Sequence, residues 1–138
     1  MAERAGGTVF DPIRKREVAA TPEEGVRQAL IRYLLNVLGV PANLIGVEFS
    51  LAALEPGNLR RIDLVVWRPG QGQLVPWLLA ECKEPRVRID DEVAWQAAGY
   101  LKRVPCAYVM LSNGADTRCL RREGEGYKLV AGLPYFGI

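Results

Sequence analysis

A helix-like stretch lies between two strongly apolar runs in this chain, and that arrangement limits the folds open to it. The runs "LVPWLLAECK" (74–83) and "CAYVMLSNG" (106–114) are typical of buried strands, whereas "RIDDEVAWQAAGYLKRV" (88–104) has apolar residues at helical spacing. A helix that joins two strands permits a parallel crossover. The pattern therefore predicts a sheet with at least one helix packed against it.

A second helix is predicted upstream, in "TPEEGVRQALIRYLLNVLGVP" (21–41). Thr21 suits the N-cap, and Pro22 suits the first helical position. Glu24 stands three residues after the cap, as a capping box requires. Gly39, followed by a proline two residues later, stops the helix.

The remaining strand-like runs complete a mixed pattern. "LIGVEFSLAAL" (44–54) and "RRIDLVVWRP" (60–69) precede the run at 74–83, and the short Gly-rich loop "PGQGQ" favours an antiparallel hairpin between the last two runs. "TRCLRREGEGYKLV" (117–130) predicts a closing hairpin. The order of elements, with the helices placed as above, describes an α/β fold with a mixed sheet and helices on its faces.

The chain length of 138 residues fits one domain, which we place at 21–138. Residues 1–20 carry few large apolar side chains and include the basic cluster "RKR" (14–16). We expect a loosely packed amino-terminal arm there, with a short strand around 8–10 or 17–19.

The composition excludes several kinds of site. The chain has no histidine, which removes the usual general base near neutral pH and all imidazole ligands. Its 3 cysteines never form a CxxC pair, so buried, reduced thiols are expected. Catalysis would therefore depend on carboxylates, Lys, Arg, Tyr or a hard metal ion held by oxygen atoms. No apolar run approaches a membrane span or a secretion signal, and a cytoplasmic location is predicted.

The strand at 74–83 ends with charged residues on one side. Side chains alternate along a strand, so Glu81 and Lys83 are predicted to share a face with Trp77 and Leu79. Asp63 interrupts the apolar run of the preceding strand. If these strands pair across the loop, the carboxylates of Asp63 and Glu81 lie side by side near the same end.

Two adjacent carboxylates repel each other unless a cation lies between them. Mg²⁺ or Mn²⁺ suits oxygen ligands with open positions, and such an ion would polarise a phosphate and activate water. Lys83 could orient that water or stabilise an anionic transition state. The pattern is therefore compatible with phosphodiester hydrolysis, and the alternative is a set of solvated charges or cross-strand ion pairs.

Further polar residues flank this cluster in the sequence. Gln96 and Tyr100 stand four apart on the second helix, and their polar tips could reach the site or a nucleic-acid backbone, the alternative being an ordinary helix surface. Arg60 and Arg61 could hold a phosphate or pair with Glu48. The other cations that could form a basic rim for DNA are Arg86, Arg88, Lys102 and Arg103.

Taken in order, Asp63, "ECK" at 81–83 and "QAAGY" at 96–100 resemble the PD-(D/E)xK nuclease superfamily with its accessory Q-x-x-x-Y motif. More narrowly, "FDPIRKREVAATPEEGVRQALIRYLL", "RRIDLVVW", "LLAECKEP" and "QAAGYLKRVPCAYVMLSNG" resemble the N-terminal nuclease domain of the type I restriction enzyme R subunit, in a short stand-alone form. The resemblance extends from about Phe10 to Cys119. It implies a restriction-endonuclease-like core with a central mixed sheet of about four strands, flanked by helices.

The resemblance also implies roles for individual residues. Asp63 and Glu81 would bind Mg²⁺ (or Mn²⁺), and Lys83 would be the catalytic lysine. Gln96 and Tyr100 would support the site and contact DNA. Ile62 stands where the superfamily motif has a proline, which is a departure from the pattern.

The family's acidic residue in the first helix corresponds to Glu23 or Glu24. We favour Glu23 because Val26 and Leu30 keep the expected apolar spacing from it. Capping of the helix already explains Glu24.

Three functions are open at this point. The first is a Mg²⁺-dependent DNA endonuclease domain, and the second is a nucleic-acid-binding or adaptor module of the same fold that has lost turnover. The third is an interaction domain whose charges are structural. The ATP-driven motor of a restriction subunit is not contained in this sequence, so a motor or specificity subunit acting in trans is an expected partner besides DNA, and a homodimer is also open.

Overall fold

The computed structural model describes residues 7–137. The helices are α1 (Pro22–Asn36) and α2 (Asp91–Leu101). The strands are β1 (Thr8–Asp11), β2 (Arg16–Ala19), β3 (Ile45–Ser50), β4 (Arg61–Pro69), β5 (Leu74–Cys82), β6 (Tyr108–Ser112), β7 (Thr117–Glu123) and β8 (Gly126–Val130). Within the described residues, neither helix is long and apolar enough to cross a bilayer.

Both helices begin at side-chain caps. Thr21 precedes α1 in an extended conformation, and its hydroxyl accepts the N–H of Glu24 at 3.1 Å, which confirms the predicted N-cap. The reciprocal half of the capping box does not form, because the Thr21 N–H donates to the Ala19 carbonyl and the Glu24 carboxylate is held in ion pairs. Asp90 plays the same part for α2, which therefore begins at Asp91 and is shorter than the predicted stretch of 88–104. Beyond the end of α1, Gly39 has a φ of 75°, a conformation that glycine adopts without strain.

The main sheet has six strands in the order β3-β4-β5-β6-β7-β8. β4 and β5 pair in antiparallel fashion across the Gly-rich loop, as predicted. β5 and β6 are parallel and are joined through α2, which confirms the predicted crossover. The closing hairpin of β7 and β8 continues this sheet, so the sheet is wider than the expected four strands.

The two helices cover opposite faces of the sheet, which gives three layers. One apolar cluster joins α1 to the first face through Leu30, Ile31, Leu34, Leu64, Val66 and Leu78. A second cluster joins α2 to the other face through Ala94, Ala97, Leu101, Val65, Leu79 and Val109. The central strands are apolar on both sides because both of their faces are buried.

A β-bulge in β5 changes the face on which one large side chain lies. The pairing of β4 with β5 shifts between Val66 and Trp67, which leaves Trp77 as the extra residue. Trp77 is buried in the cluster beside α1, with its ring centroid 5.1 Å from that of Phe136. Leu79 belongs to the opposite cluster. The expectation that Trp77 and Leu79 share a face is therefore wrong, because the extra residue reverses the alternation of side chains.

The segment expected to be a loose arm is an ordered hairpin over its described residues, 7–20. Both candidate strands form, and β1 pairs with β2 in antiparallel fashion. Asp11 and Val18 are buried, and Arg14 forms an ion pair with Asp11 at 2.6 Å and another with Glu24 at 2.9 Å. The ion pair with Glu24 attaches the hairpin to α1, so the expectation of loose packing is corrected here. Residues 1–6 of the expected arm lie outside the described residues.

Candidate functional site

The strands β4 and β5 separate at the end that holds Asp63. Their backbone pairing ends at Leu64. Beyond that point the side chain of Asp63 replaces the backbone ladder, because its Oδ2 accepts the Cys82 N–H at 2.8 Å. β5 stays with β6, since the Lys83 N–H donates to the Ser112 carbonyl at 2.8 Å. Asp63 therefore lies in a fork between two strands, which we call the β4–β5 fork.

Asp63 is held from two sides in this fork. Its Oδ1 accepts a hydrogen bond from Arg27 Nη2 at 2.9 Å, in addition to the Cys82 amide bond at Oδ2. Burial raises the pKa of Asp63, and the negative charge of Glu81 adds to this effect. The Cys82 amide and Arg27 lower the pKa, but burial outweighs them, so the pKa lies above the ordinary 3.8. The protein thus leaves the negative charge of Asp63 only partly compensated, as is frequent at functional sites.

Glu81 is the centre of a second set of contacts. Its Oε2 lies 2.7 Å from Lys83 Nζ, and its Oε1 accepts a hydrogen bond from the Tyr100 hydroxyl at 3.1 Å. The hydrogen bond to Glu81 raises the pKa of Lys83, although partial burial opposes the shift. Burial, followed by the negative charge of Glu81, raises the pKa of Tyr100. At neutral pH Lys83 is therefore a cation and Tyr100 a neutral hydrogen-bond donor.

The first turn of α1 presents two acidic residues in different surroundings. Glu24 is buried, and it is held by Arg14, Arg27 and the side-chain amide of Gln28. Glu23 is exposed at the surface. Its pKa is raised, first by partial burial of the carboxylate and then by the charge of Asp63, with Glu81 adding to the shift while Arg27 and Lys83 oppose it.

Glu23 therefore lies within electrostatic reach of the fork, whereas Glu24 is occupied by structural ion pairs. The geometry favours Glu23 as the first-helix acid, in agreement with the choice made from the sequence. Its catalytic role stays a prediction.

The two residues of α2 that were predicted to belong to the site differ in whether they contact its charged side chains. Tyr100 contacts Glu81, whereas Gln96 is exposed and makes no side-chain hydrogen bond within residues 7–137. Arg60 lies with its guanidinium 3.9 Å from the centroid of the Tyr100 ring. A cation over an aromatic ring is held by the ring's quadrupole. Arg60 is therefore placed beside the site at an exposed position, where a phosphate could reach it.

The other predicted basic residues are engaged elsewhere. Arg61 donates to the backbone carbonyl of Glu48 at 2.6 Å, not to its carboxylate. Arg86 and Arg88 are 89% and 78% exposed in their side chains, and they pair with the neighbouring acids Glu84 and Asp90. Exposed ion pairs of this kind are weak, so these arginines could exchange their partners for phosphates. Their role in DNA binding stays a prediction.

The donor set can be compared with the needs of a divalent cation. Asp63 and Glu81 offer the carboxylate oxygens that Mg²⁺ or Mn²⁺ prefers, and each oxygen keeps a lone pair beyond its present contact. Residues 7–137 contain no group of three or more acidic or cysteine side chains arranged to hold a metal ion. Two carboxylates could hold a cation that completes its shell with water and substrate phosphate, and such a cation stays a prediction.

Arg27 is the site residue that the sequence did not indicate. It is buried on α1, one turn after the acidic pair Glu23 and Glu24, and it pairs with Asp63 from a distant part of the sequence. The available signal was its spacing, since a residue three positions after Glu24 lies on the same side of a helix. The partner on β4 depends on tertiary packing and carries no sequence signal.

Comparison with known proteins gives one match. A family model described as "Type I restriction enzyme R protein N terminus (HSDR_N)" matches residues 22–134, a stretch that includes both helices and all six strands of the main sheet. No curated protein and no solved structure matches the chain. The matched stretch contains the β4–β5 fork and begins after the β1–β2 hairpin.

Proposed function

The chain belongs to the family of type I restriction enzyme R protein N termini, and on that premise we propose that it is a divalent-metal-dependent DNA endonuclease domain with a PD-(D/E)xK site. The observation that carries the proposal is the β4–β5 fork. There Asp63 and Glu81 stand on neighbouring strands, Glu81 pairs with Lys83 at 2.7 Å, and all three side chains are partly buried. Two carboxylates that can hold a divalent cation and a lysine that can stabilise negative charge suit metal-assisted phosphodiester hydrolysis.

Asp63 and Glu81 would hold the cation, and Mg²⁺ or Mn²⁺ is the expected ion. The bound cation supplies Lewis acidity, which polarises the scissile phosphate and makes water more acidic. The Cys82 amide and Arg27 fix the orientation of the Asp63 carboxylate, and the Tyr100 hydroxyl does the same for Glu81. This preorganisation reduces the reorganisation needed during the reaction.

Lys83 acts as a cation in this proposal. The hydrogen bond to Glu81 raises the pKa of Lys83, which favours the protonated Nζ and therefore a hydrogen-bond donor. From its position 2.7 Å from Glu81 it would orient the attacking water and stabilise negative charge on the phosphate. Glu23 and Gln96 are exposed, and in this proposal they would position water or substrate.

DNA would approach from the side of Arg60. This residue is exposed and stacked on Tyr100, which itself contacts Glu81, so a phosphate bound by Arg60 would lie near the carboxylates. Arg61, Arg86 and Arg88 would extend the contact along the backbone after exchanging their present partners. Gln96 is exposed and makes no side-chain hydrogen bond among the described residues, so its amide could also contact the DNA backbone.

The direct test is cleavage of supercoiled and linear DNA with Mg²⁺ or Mn²⁺. We expect Asp63→Asn, Glu81→Gln and Lys83→Ala each to lower the rate by ~100-fold or more. The first two remove a negative charge that would hold the cation, and the third removes a positive charge that would stabilise the transition state. Glu125→Gln and Lys128→Ala are matched controls, since both residues are exposed on the β7–β8 hairpin at the far edge of the sheet. Cleavage that survives in all three site variants would overturn the assignment.

A specific observation favours a second candidate, a DNA-binding or adaptor module without turnover. Arg27 pairs with Asp63 and Lys83 pairs with Glu81, so both carboxylates have cationic partners from the chain itself. This module would bind DNA with an affinity that falls steeply with salt, since phosphate contacts release counterions. Anisotropy titrations with labelled DNA at several salt concentrations, beside the cleavage assay, distinguish binding alone from binding with hydrolysis.

Family membership also suggests partners. We expect a motor or specificity subunit in trans, because the family is named for one subunit of a multi-subunit enzyme. A homodimer and a cytoplasmic location are further predictions. Sedimentation of the purified chain, alone and with DNA, measures the oligomeric state directly.

A further inference from the structure

A row of charged side chains connects the β1–β2 hairpin to the β4–β5 fork. Asp11 pairs with Arg14 at 2.6 Å, and Arg14 pairs with Glu24 at 2.9 Å. Glu24 pairs with Arg27 at 3.4 Å, and Arg27 pairs with Asp63 at 2.9 Å. The signs of the charges alternate along the row, so Arg27 lies between two carboxylates. Arg14 contacts a third carboxylate as well, that of the half-exposed Glu48 at 3.2 Å.

This charge row is shielded from water. The side chains of Asp11, Glu24 and Arg27 are at most 9% exposed, and that of Arg14 is 16% exposed. In such surroundings charges interact more strongly than at the surface, and removing one leaves its neighbour without compensation. A change at Arg14 therefore alters the balance at Glu24 and, through it, at Arg27.

The position of Arg27 depends on its two acidic partners. Its Nε is buried and has no hydrogen-bond partner within residues 7–137, so the guanidinium is held through its Nη atoms. Glu24 is fixed in turn by Arg14 and by the side-chain amide of Gln28 at 3.0 Å. Without Glu24 in place, Arg27 would lose the ion pair that holds its guanidinium on the side away from Asp63.

We propose that Arg27 is the positioning residue for Asp63, and that the β1–β2 hairpin controls this positioning through Arg14 and Glu24. Arg27 fixes Oδ1 of Asp63 while the Cys82 amide fixes Oδ2, so together they set the plane of the carboxylate. The consequence for cation binding rests on the proposed function of Asp63. The inference that Arg27 and the hairpin fix the position of Asp63 does not depend on that function.

The Cys82 amide is the reporter for this inference. Its N–H is bonded to Asp63, whereas the next amide, that of Lys83, is bonded to the backbone of β6. Hydrogen exchange measured by NMR on the ¹⁵N-labelled full chain reads both amides separately. In Arg14→Gln we expect exchange at Cys82 to accelerate by about tenfold or more while exchange at Lys83 is unchanged.

Arg16→Gln is the matched control on the same hairpin. Arg16 is exposed and forms no ion pair within residues 7–137, so both amides should exchange as in the wild type. Unchanged exchange at Cys82 in Arg14→Gln would overturn the link to the hairpin. Equal acceleration at Cys82 and Lys83 would also overturn it, because that result indicates general loosening of β5.

Arg27 is tested by two substitutions. Arg27→Gln should accelerate exchange at Cys82, and Arg27→Lys should restore part of the protection because it keeps the charge. If Arg27→Gln does not fold, the comparison of Arg27→Lys with Arg14→Gln still decides the question. Wild-type exchange at Cys82 in both of those variants would contradict the positioning role.

A Mn²⁺ titration by calorimetry then connects this inference to the proposed function. We expect Arg14→Gln to weaken Mn²⁺ binding by roughly tenfold, at the lower end of the loss that is typical when a residue orienting a metal ligand is changed. Wild-type affinity in Arg14→Gln would contradict a role of the hairpin in cation binding. A wild-type chain that binds no Mn²⁺ would refute the proposed function, while the exchange data would still decide the placement of Asp63.

Discussion

Tyr100 links the candidate acid of β5 to the surface where a substrate would arrive. Its hydroxyl donates to Glu81 at 3.1 Å, and its ring carries the guanidinium of Arg60 at 3.9 Å from the centroid. Tyr100 therefore orients the Glu81 carboxylate through its hydroxyl and holds the Arg60 guanidinium on the face of its ring. These two functions can be separated, because the ring and the hydroxyl are different parts of the side chain.

Tyr100→Phe removes the hydroxyl and keeps the ring. We expect cleavage to fall by about tenfold, which corresponds to the loss of one hydrogen bond to a charged group. DNA affinity should be unchanged, because Arg60 can stack on phenylalanine as well. Cleavage rates and anisotropy titrations check both expectations, and Tyr135→Phe at an exposed position is the control. An equal loss of binding and cleavage would show that the hydroxyl does not act through Glu81.

Asp11 has an environment opposite to that of Asp63. Burial alone would raise its pKa, but hydrogen bonds from the backbone and side chain of Arg14 and from the Ile13 amide outweigh burial and lower the pKa below 3.8. A lowered pKa means that the folded state favours the ionised carboxylate. Asp11 therefore stabilises the protein at pH values above its ordinary pKa, and this contribution is lost as the pH falls towards its pKa in the folded state.

We expect the wild-type free energy of unfolding to decrease below about pH 4, and Asp11→Asn to decrease less over the same range. At neutral pH Asp11→Asn should be less stable than the wild type, because Arg14 loses a buried partner. Urea unfolding at several pH values measures both effects. Asp116→Asn, at an exposed position, controls for the loss of a charge. Parallel pH curves for the wild type and Asp11→Asn would contradict the assignment.

At the scale of elements, α1 combines a structural and a chemical role. One side of the helix supplies the apolar side chains of the first cluster, and its first two turns supply Glu23, Glu24 and Arg27. The start of α1 thus determines where the acidic pair and Arg27 stand relative to β4. Its N-cap is for this reason a contact on which the site geometry depends.

Two substitutions at the start of α1 should change stability in opposite directions. Thr21→Ala removes the cap to the Glu24 N–H and should lower the free energy of unfolding by about 1 kcal/mol. Gly25→Ala should raise it by up to ~1 kcal/mol, because alanine favours the helix and no atom lies within 4 Å of the added Cβ. Chemical denaturation measures both values. A loss of stability in Gly25→Ala would show that the turn is not a regular helix.

Over the whole molecule, the three-layer arrangement leaves the cysteines inside. Cys82, Cys106 and Cys119 are all free and buried, as the spacing of the cysteines predicted. Burial raises the pKa of Cys82 and of Cys106 to about 12 and that of Cys119 to about 11. Thiols in such surroundings are protonated at neutral pH and react slowly.

A thiol reagent should therefore report the integrity of the whole fold. We expect little reaction of the native protein at pH 8 and reaction of all 3 cysteines in denaturant, because only the thiolate is nucleophilic. Absorbance after addition of a disulfide reagent measures both states. Rapid native reaction at one cysteine would indicate local opening of the layer that covers it.

Local patterns in the sequence predicted the order of the main elements and, Arg27 excepted, the residues of the candidate site. Apolar spacing, helix caps and turn residues are local signals, and they were sufficient for both helices, the β4–β5 hairpin and the parallel crossover. Alternation along the strand placed Glu81 beside Lys83, and the hairpin brought Asp63 to the same end. The stretch that matches the family model includes these residues.

Only the tertiary structure decided the contacts between distant segments. The ion pair of Arg27 with Asp63 joins a helix to a strand, and that of Arg14 with Glu24 joins the hairpin to the helix. Trp77 changed face because of a bulge, which depends on how two strands fit against the rest of the molecule. Such contacts form when packing brings charges together and excludes water, and no local pattern in the sequence encodes that proximity.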